Sequence, residues 1–141
     1  MKKRIIWLII TILILAIGVF IFFRKSASID LNGKWYLYTG SDIRYDEKPI
    51  DKLNSLDYIQ LSGGKFYESR KDGKNGVSGF SIKGKKMYAG DGIFTFEVEE
   101  VNGEKILHLN HVGNRIGKKE YKEITGIKSI YIKESSNIKF D

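Results

Sequence analysis

The side chains best suited to acid–base chemistry are two histidines, His108 and His111. If residues 93–112 form a hairpin, His108 lies opposite Glu97, and a carboxylate beside an imidazole can orient a general base. No serine nucleophile or oxyanion-binding motif accompanies them in the sequence. An exposed cross-strand pair therefore explains His108 better, and His111 is expected at the inner rim of a strand pair. We predict no enzyme activity and assign no catalytic residue.

The chain offers no recognisable motif for a metal or a cofactor. It has no cysteine, which excludes disulfides and thiolate zinc sites. The loop Asp72–Gly76 has part of the spacing of a calcium loop, but Lys74 and Gly76 stand where oxygen ligands are needed. Residues 79–86 (GFSIKGKK) approach a phosphate-binding loop, but Lys86 replaces the required serine or threonine. We predict no metal ion and no cofactor.

The formal net charge of +7 is concentrated at one end of the chain. Five of the 24 basic residues flank an apolar run near the N-terminus. This leaves 19 basic against 17 acidic residues in the segment 26–141, a net charge of +2. The basic excess therefore accompanies the apolar run, and we predict no nucleic-acid partner.

The apolar run, residues 5–23 (IIWLIITILILAIGVFIFF), predicts a transmembrane helix. At about 1.5 Å per residue, a helix of this length spans roughly 29 Å, close to the bilayer core of about 30 Å. A cleaved signal peptide is the alternative. It fits less well because the run exceeds the usual apolar region and Arg24 and Lys25 follow it.

Basic residues around the run predict its orientation. Three basic side chains precede the run and two follow it, so the positive-inside rule places the N-terminus in the cytoplasm. We therefore predict a signal-anchor at residues 1–25, a linker at residues 26–32 and an extracytoplasmic domain at residues 33–141, held at the cell membrane by one span. The abundance of isoleucine and lysine indicates an AT-rich coding sequence, such as a bacterial one.

The domain reads as all-β, because apolar residues alternate and glycine, asparagine and aspartate interrupt them every 8–12 residues. One short helix is expected at Pro49–Ser55. The predicted strands are Lys34–Tyr38, Tyr58–Ser62, Lys65–Arg70, Val77–Lys83, Lys86–Ala89, Ile93–Val101, Glu104–Val112, Lys119–Ile124 and Ile127–Lys133. An antiparallel meander of about eight or nine strands can remove its edges by closing into a small barrel, and a β-sandwich is the alternative.

Two hairpins are specific enough to predict register. Asn102-Gly103 is a favoured type I′ turn. It predicts the inner-face pairs Val98 with Leu107, Phe96 with Leu109 and Phe94 with His111. Gly63-Gly64 predicts the pairs Leu61 with Phe66, Ile59 with Glu68 and Asp57 with Arg70. The inner face of this second hairpin therefore becomes polar towards one end. A bulge or bend is expected at Gly79.

Charged groups on an inner face must pair or reach water, so the polar end of the second hairpin marks a candidate binding cavity. The alternative is a rim ion pair between Arg70 and Asp57. The candidate cavity residues are Glu68, Arg70, Trp35 and His111.

The start of the domain, Asn32–Tyr36 (NGKWY), resembles the Gly-x-Trp opening of lipocalin-like (calycin) barrels through Gly33 and Trp35. The resemblance implies an up-and-down antiparallel barrel in which Trp35 lies on the first strand and closes one end. It implies Arg115 as the counterpart of the arginine that packs over this tryptophan. It also implies an apolar ligand pocket, without a particular ligand. The family's middle loop motif is absent from the sequence.

These observations predict a membrane-anchored extracytoplasmic binding or interaction module, for an apolar ligand or an envelope partner protein. The alternative is a structural or accessory subunit of a membrane complex without a small-molecule ligand. Basic clusters at residues 83–86 and 118–122 could contact anionic lipid headgroups or wall polymers. Solvated strand edges are the simpler interpretation of both clusters.

Overall fold

A computed structural model describes residues 2–25, 29–46, 48–122 and 126–140, without the side chains of residues 2, 4 and 18–25. The chain divides into two compact units, residues 1–30 and Leu31–Asp141. The N-terminal unit contains one helix, α1 (Lys2–Lys25). Within the described part of the chain, no helix is long and apolar enough to cross a membrane. The predicted span is therefore not found there, and the side chains of its last residues, 18–23, lie outside the described part.

The second unit is all-β, as predicted. Its strands are β1 (Gly33–Tyr38), β2 (Leu53–Ser62), β3 (Lys65–Ser69), β4 (Gly76–Lys83), β5 (Lys86–Ala89), β6 (Gly92–Val101), β7 (Glu104–Ile116), β8 (Lys119–Lys122) and β9 (Lys128–Lys133). All neighbouring strands are antiparallel. Eight of these strands form a closed barrel, because β6 pairs with β7, β7 with β9, and β9 with β1. The barrel is therefore confirmed and the sandwich alternative is wrong.

Among the described residues the extra strand, β8, pairs only with the far end of β7, and it lies outside the closed ring. Residues 123–125, which include the predicted end of this strand, lie outside the described residues. The predicted helix at Pro49–Ser55 is shorter than expected. It is a 3-10 helix at Pro49–Lys52, because β2 begins at Leu53. A second 3-10 helix, Ile43–Tyr45, precedes it.

The β6–β7 hairpin has the predicted register, with Val98, Phe96 and Phe94 opposite Leu107, Leu109 and His111. Asn102 and Gly103 adopt φ values of 52° and 81°, as a type I′ turn requires. Of the bulge or bend expected at Gly79, the bulge is wrong, because the register through β4 runs without a shift, and the bend stays a prediction. At Gly79 the pairing of β4 instead passes from β3 to β5.

Trp35 lies inside the barrel near the end where β1 begins. It is fully buried, and its indole Nε1–H donates a hydrogen bond to the carbonyl oxygen of Leu31 at 2.8 Å. The Nζ of Lys133, on the last barrel strand, lies 5.4 Å from the Trp35 ring centroid. Gly33 has a φ of 122°, and a Cβ there would stand 3.2 Å from Lys133 Cε. The glycine therefore lets the lysine stem reach the tryptophan.

The resemblance assigned the cation over Trp35 to Arg115, and that expectation is wrong. The Arg115 guanidinium lies 5.4 Å from the ring centroid of Tyr88, on the outer wall. β7 extends past the barrel ring to pair with β8, and this carries Arg115 away from the interior. Lys133 occupies the position over the tryptophan because β9, not β7, pairs with β1.

Apolar side chains form two clusters, one inside and one outside the barrel. The inner cluster contains Leu31, Trp35, Ile59, Leu61, Met87, Leu107 and Leu109. The outer cluster contains Tyr38, Ile43, Ile106 and Ile132. Ile43, from the first 3-10 helix, packs there with partly buried Ile138 from the segment after β9. The connections before β2 and after β9 therefore cover the outer wall of β7 and β9.

Candidate ligand cavity

A cavity of about 470 Å³ occupies the barrel interior at the end opposite the start of β1. This volume falls within the usual range for small-molecule sites, roughly 300–1,000 Å³. Its lining residues come from six strands, the connection between β3 and β4 and the connection before β9: Phe66, Glu68, Arg70, Gly76, Val77, Ser78, Ala89, Gly92, Phe94, Leu109, His111, Ile127, Ser129 and Tyr131. Val77 and Ile127 are exposed, which places them at the cavity mouth.

Alternate residues of each strand face the cavity. The side chains that do so give walls that are largely apolar. Phe66 pairs with Ser78 across β3 and β4, and Phe94 lies opposite His111 across β6 and β7. The Phe94 and His111 rings lie 5.1 Å apart between centroids. Phe66 and Phe94 also pack against the buried inner cluster. The floor of the cavity therefore continues into the barrel core.

An ion pair between Glu68 and Arg70 forms the charged part of the lining. Arg70 Nε donates a hydrogen bond of 2.8 Å to Glu68 Oε1, and Arg70 Nη2 lies 2.6 Å from the same oxygen. This partner raises the pKa of Arg70. The Arg70 side chain is 57% exposed and that of Glu68 is 33% exposed, so the pair lies at the water boundary of the cavity. An ion pair this exposed stabilises the fold little.

The alternative interpretation, a rim ion pair between Arg70 and Asp57, is wrong. β3 ends at Ser69, which lies opposite Tyr58. Arg70 is therefore outside the strand and does not pair with Asp57. Asp57 is buried and its Oδ1 accepts a hydrogen bond of 2.8 Å from the backbone N–H of Lys71. The aspartate therefore fixes the start of the β3–β4 connection, and Arg70 is held by Glu68.

Tyr131 adds a neutral donor beside this pair. Burial raises its pKa to about 12, the charge of Glu68 acts in the same direction, and a hydrogen bond from Ser129 and the charge of Arg70 oppose it. A smaller cavity of about 380 Å³ is also lined by Tyr131, Glu68 and Arg70, with Leu37 among its other walls. The three polar side chains therefore border both spaces, and the tyrosine hydroxyl is protonated at neutral pH.

Three of the four candidate cavity residues line the same space: Glu68, Arg70 and His111. His111 Nε2 lies 3.0 Å from the amide oxygen Oδ1 of Asn114, so an Nε2–H donor satisfies both groups. Trp35 does not line the cavity. It is fully buried near the other end of the barrel, where it packs with Leu31.

The sequence reading missed Tyr131 and Ser129 as lining residues. Their side chains face inward because β9 pairs with both β1 and β7, which places Tyr131 opposite Leu37 and Leu107. Alternation within Lys128–Lys133 gives two faces, but it does not identify the inner one. Which face of β9 points inward depends on the pairing of β9 with β7. These two strands are separated by β8 in the sequence.

His108 lies on the outer wall, opposite Glu97 as predicted. Its Nε2 is 2.7 Å from Glu99 Oε1, and both side chains are about 30% exposed. Among the described residues, no group of three or more histidine, aspartate or glutamate side chains is placed to hold a metal ion.

The geometry defines a class of molecule: a small closed antiparallel barrel with an interior cavity, apolar on its walls and charged at one edge. We find no family model, curated protein or solved structure that matches this chain.

Proposed function

We propose that the barrel is a binding module for a small, largely apolar ligand that carries one polar group. The cavity of about 470 Å³ is the observation that carries this proposal. Transfer of apolar surface from water to the walls around Phe66, Phe94 and Leu109 would drive binding. The ligand's polar group would lie at the mouth, where Arg70 and Tyr131 offer donors.

We further propose that the module is tethered to the outer face of the cell membrane. The uncharged run of residues 5–23 and its basic flanks support this location. The described apolar side chains between Ile5 and Ile17 are exposed along α1, and soluble monomers rarely expose an apolar surface of this extent. A tether of this kind raises the local concentration of the module near membrane-derived ligands and envelope proteins.

A lipocalin-like arrangement is part of the same proposal. Gly33 and Trp35 support it on the first strand, and Lys133 supports it by covering the tryptophan with a cation from the last barrel strand. The absence of the family's middle loop motif from the sequence weighs against close kinship. The binding proposal depends on the cavity itself and not on this kinship.

Filling the cavity tests the proposal directly. Ala89 lines the cavity, so Ala89→Phe places a ring in the ligand space. We expect the full chain in detergent to bind the apolar dye N-phenyl-1-naphthylamine, and Ala89→Phe to weaken that binding at least tenfold. The matched control is Ser81→Phe, because Ser81 is an exposed residue on the outer wall of the neighbouring strand β4.

Native mass spectrometry of the purified chain provides the second measurement, since a co-purifying ligand adds a discrete mass. Equal dye affinity in the two phenylalanine variants would overturn the cavity proposal. That outcome would favour the alternative, a structural or accessory subunit that holds no small molecule. Far-ultraviolet circular dichroism of both variants establishes that a loss of binding reflects a filled cavity and not an unfolded barrel.

A further inference from the structure

The β7–β8 hairpin, residues 113–122, extends beyond the closed ring and has two different faces. Directly opposite residues of antiparallel strands share a face. Arg115 lies opposite Glu120 on one face, and Ile116 lies opposite Lys119 on the other, together with the pair of Asn114 and Tyr121. The two faces of the hairpin therefore carry different chemistry.

The face with Arg115 and Glu120 is fixed to the barrel. The Tyr88 hydroxyl donates a hydrogen bond of 3.0 Å to Glu120 Oε1, and this bond raises the pKa of Tyr88. The Arg115 guanidinium lies over the same ring, 5.4 Å from its centroid. The backbone N–H of Arg115 also donates to the carbonyl oxygen of Asp91 at 2.6 Å. These contacts hold the hairpin against the outer wall. Its second face, with Ile116 and Tyr121, is exposed to solvent.

The second face presents large apolar side chains among lysines. Ile116 is 70% exposed and Tyr121 is 48% exposed. Lys119 shares their face, while Lys118 lies at the turn and Lys122 at the end of β8, and all three lysines are exposed.

The charge of the segment is strongly positive. Residues 115–122 contain four basic side chains and one acidic side chain, Glu120. The carboxylate of Glu120 is already engaged by Tyr88. Glu123, next in the sequence, lowers the basic excess by one, and the segment stays basic.

We propose that the β7–β8 hairpin is a docking surface for a bilayer that contains anionic phospholipid. Lys119 on this face and Lys118 at the adjoining turn match the negative charge of the headgroups. The exposed isoleucine and tyrosine match the interface, where an apolar stem and an amphipathic ring leave water together. A soluble polyanion would satisfy the lysines but would leave Ile116 in water, so the combined chemistry favours a lipid surface. The docking surface does not require a ligand in the cavity.

The chain contains no cysteine, so a single introduced thiol can be labelled selectively. We would label Ile116→Cys in the full chain with the environment-sensitive dye NBD and incorporate the protein into lipid nanodiscs. One set of discs contains phosphatidylcholine alone, and the other contains phosphatidylcholine with phosphatidylglycerol. We expect a blue shift and at least a twofold rise in emission in the anionic discs, reversed by high salt. The control is Lys85→Cys, on the exposed turn between β4 and β5.

Charge reversal separates specific docking from general attraction. Lys118→Glu together with Lys119→Glu should abolish the shift of the label. Lys85→Glu together with Lys86→Glu changes the net charge equally on another exposed hairpin and should leave the shift unchanged. Equal emission in both lipid compositions, or equal loss in both charge variants, would overturn the docking proposal.

This experiment measures membrane insertion of the tether and lipid contact of the hairpin separately. The fraction of chain that co-migrates with the discs reports the tether, and the label reports the hairpin. If the chain does not incorporate, the same label is read after addition of phosphatidylglycerol vesicles. A shift that appears with soluble polyphosphate as strongly as with vesicles would assign the surface to a polyanion partner and would also overturn lipid docking.

Discussion

At Tyr131 the barrel interior changes the behaviour of a single side chain. The ordinary pKa of tyrosine is 10.0, and burial raises the pKa of Tyr131 to about 12. Between these pH values the unfolded chain loses the phenolic proton while the folded chain keeps it. The free energy of unfolding therefore falls as the pH rises from about 10 to about 12, by roughly 2–3 kcal/mol for this group. Below pH 10 the contribution is fully present.

Tyr131→Phe removes this titration, so the variant should lose less stability than the native chain across the same pH window. Urea unfolding of the two proteins at several pH values measures the difference. Tyr45→Phe is the matched control, because the Tyr45 side chain is 84% exposed and its hydroxyl contacts solvent in both states. Parallel stability curves for the native chain and Tyr131→Phe would contradict the assignment.

The turn between β6 and β7 shows how much an element depends on one backbone position. Gly103 has a φ of 81°, where a side chain adds backbone strain although a Cβ there would meet nothing within 4 Å. Gly103→Ala should therefore destabilise the barrel by about 1–2 kcal/mol through backbone strain alone. Gly79→Ala is the control, since Gly79 has ordinary φ and equally open space, and its effect should stay within about 0.5 kcal/mol. Chemical unfolding compares the two, and equal losses would contradict the strain argument.

Local patterns predicted the strands and hairpins well because turn chemistry and alternation are local properties. The β6–β7 register followed from Asn102-Gly103 alone, and Glu68 was correctly paired with Ile59. The prediction failed where a strand stops. Nothing in the spacing shows that β3 ends at Ser69, so Arg70 was paired with the wrong carboxylate. The end of that strand depends on the connection to β4, where Asp57 holds the backbone of Lys71.

At the scale of the whole molecule, closure of the barrel determines which residues meet in the cavity. β9 passes over β8 in the sequence and inserts between β7 and β1, and this pairing turns Tyr131 and Ser129 inward. It also places Lys133, not Arg115, over Trp35. Such contacts join residues distant in the chain, so no local pattern contains them. Glu68, Arg70 and His111 line the same cavity. The charge of Glu68 and Arg70 on an inner face is a local signal, whereas the depth of Trp35 along the barrel is not.

The predicted membrane location also concerns the whole molecule. It requires the N-terminal segment to insert into the membrane and the barrel to lie outside the cell. Three basic side chains before residues 5–23 and two after it predict an N-terminus in the cytoplasm and a barrel outside. We expect the full chain in cells to resist extraction from membranes by alkaline carbonate, and external protease to digest the barrel in intact cells. Leu13→Lys with Leu15→Lys should release the chain from membranes, since charges in the bilayer centre oppose insertion. Ser81→Lys with Thr95→Lys adds the same charge to the barrel's outer wall and should not. If alkaline carbonate extracted the native chain completely, the tether proposal would be contradicted. The cavity proposal would then depend only on the ligand-binding measurements.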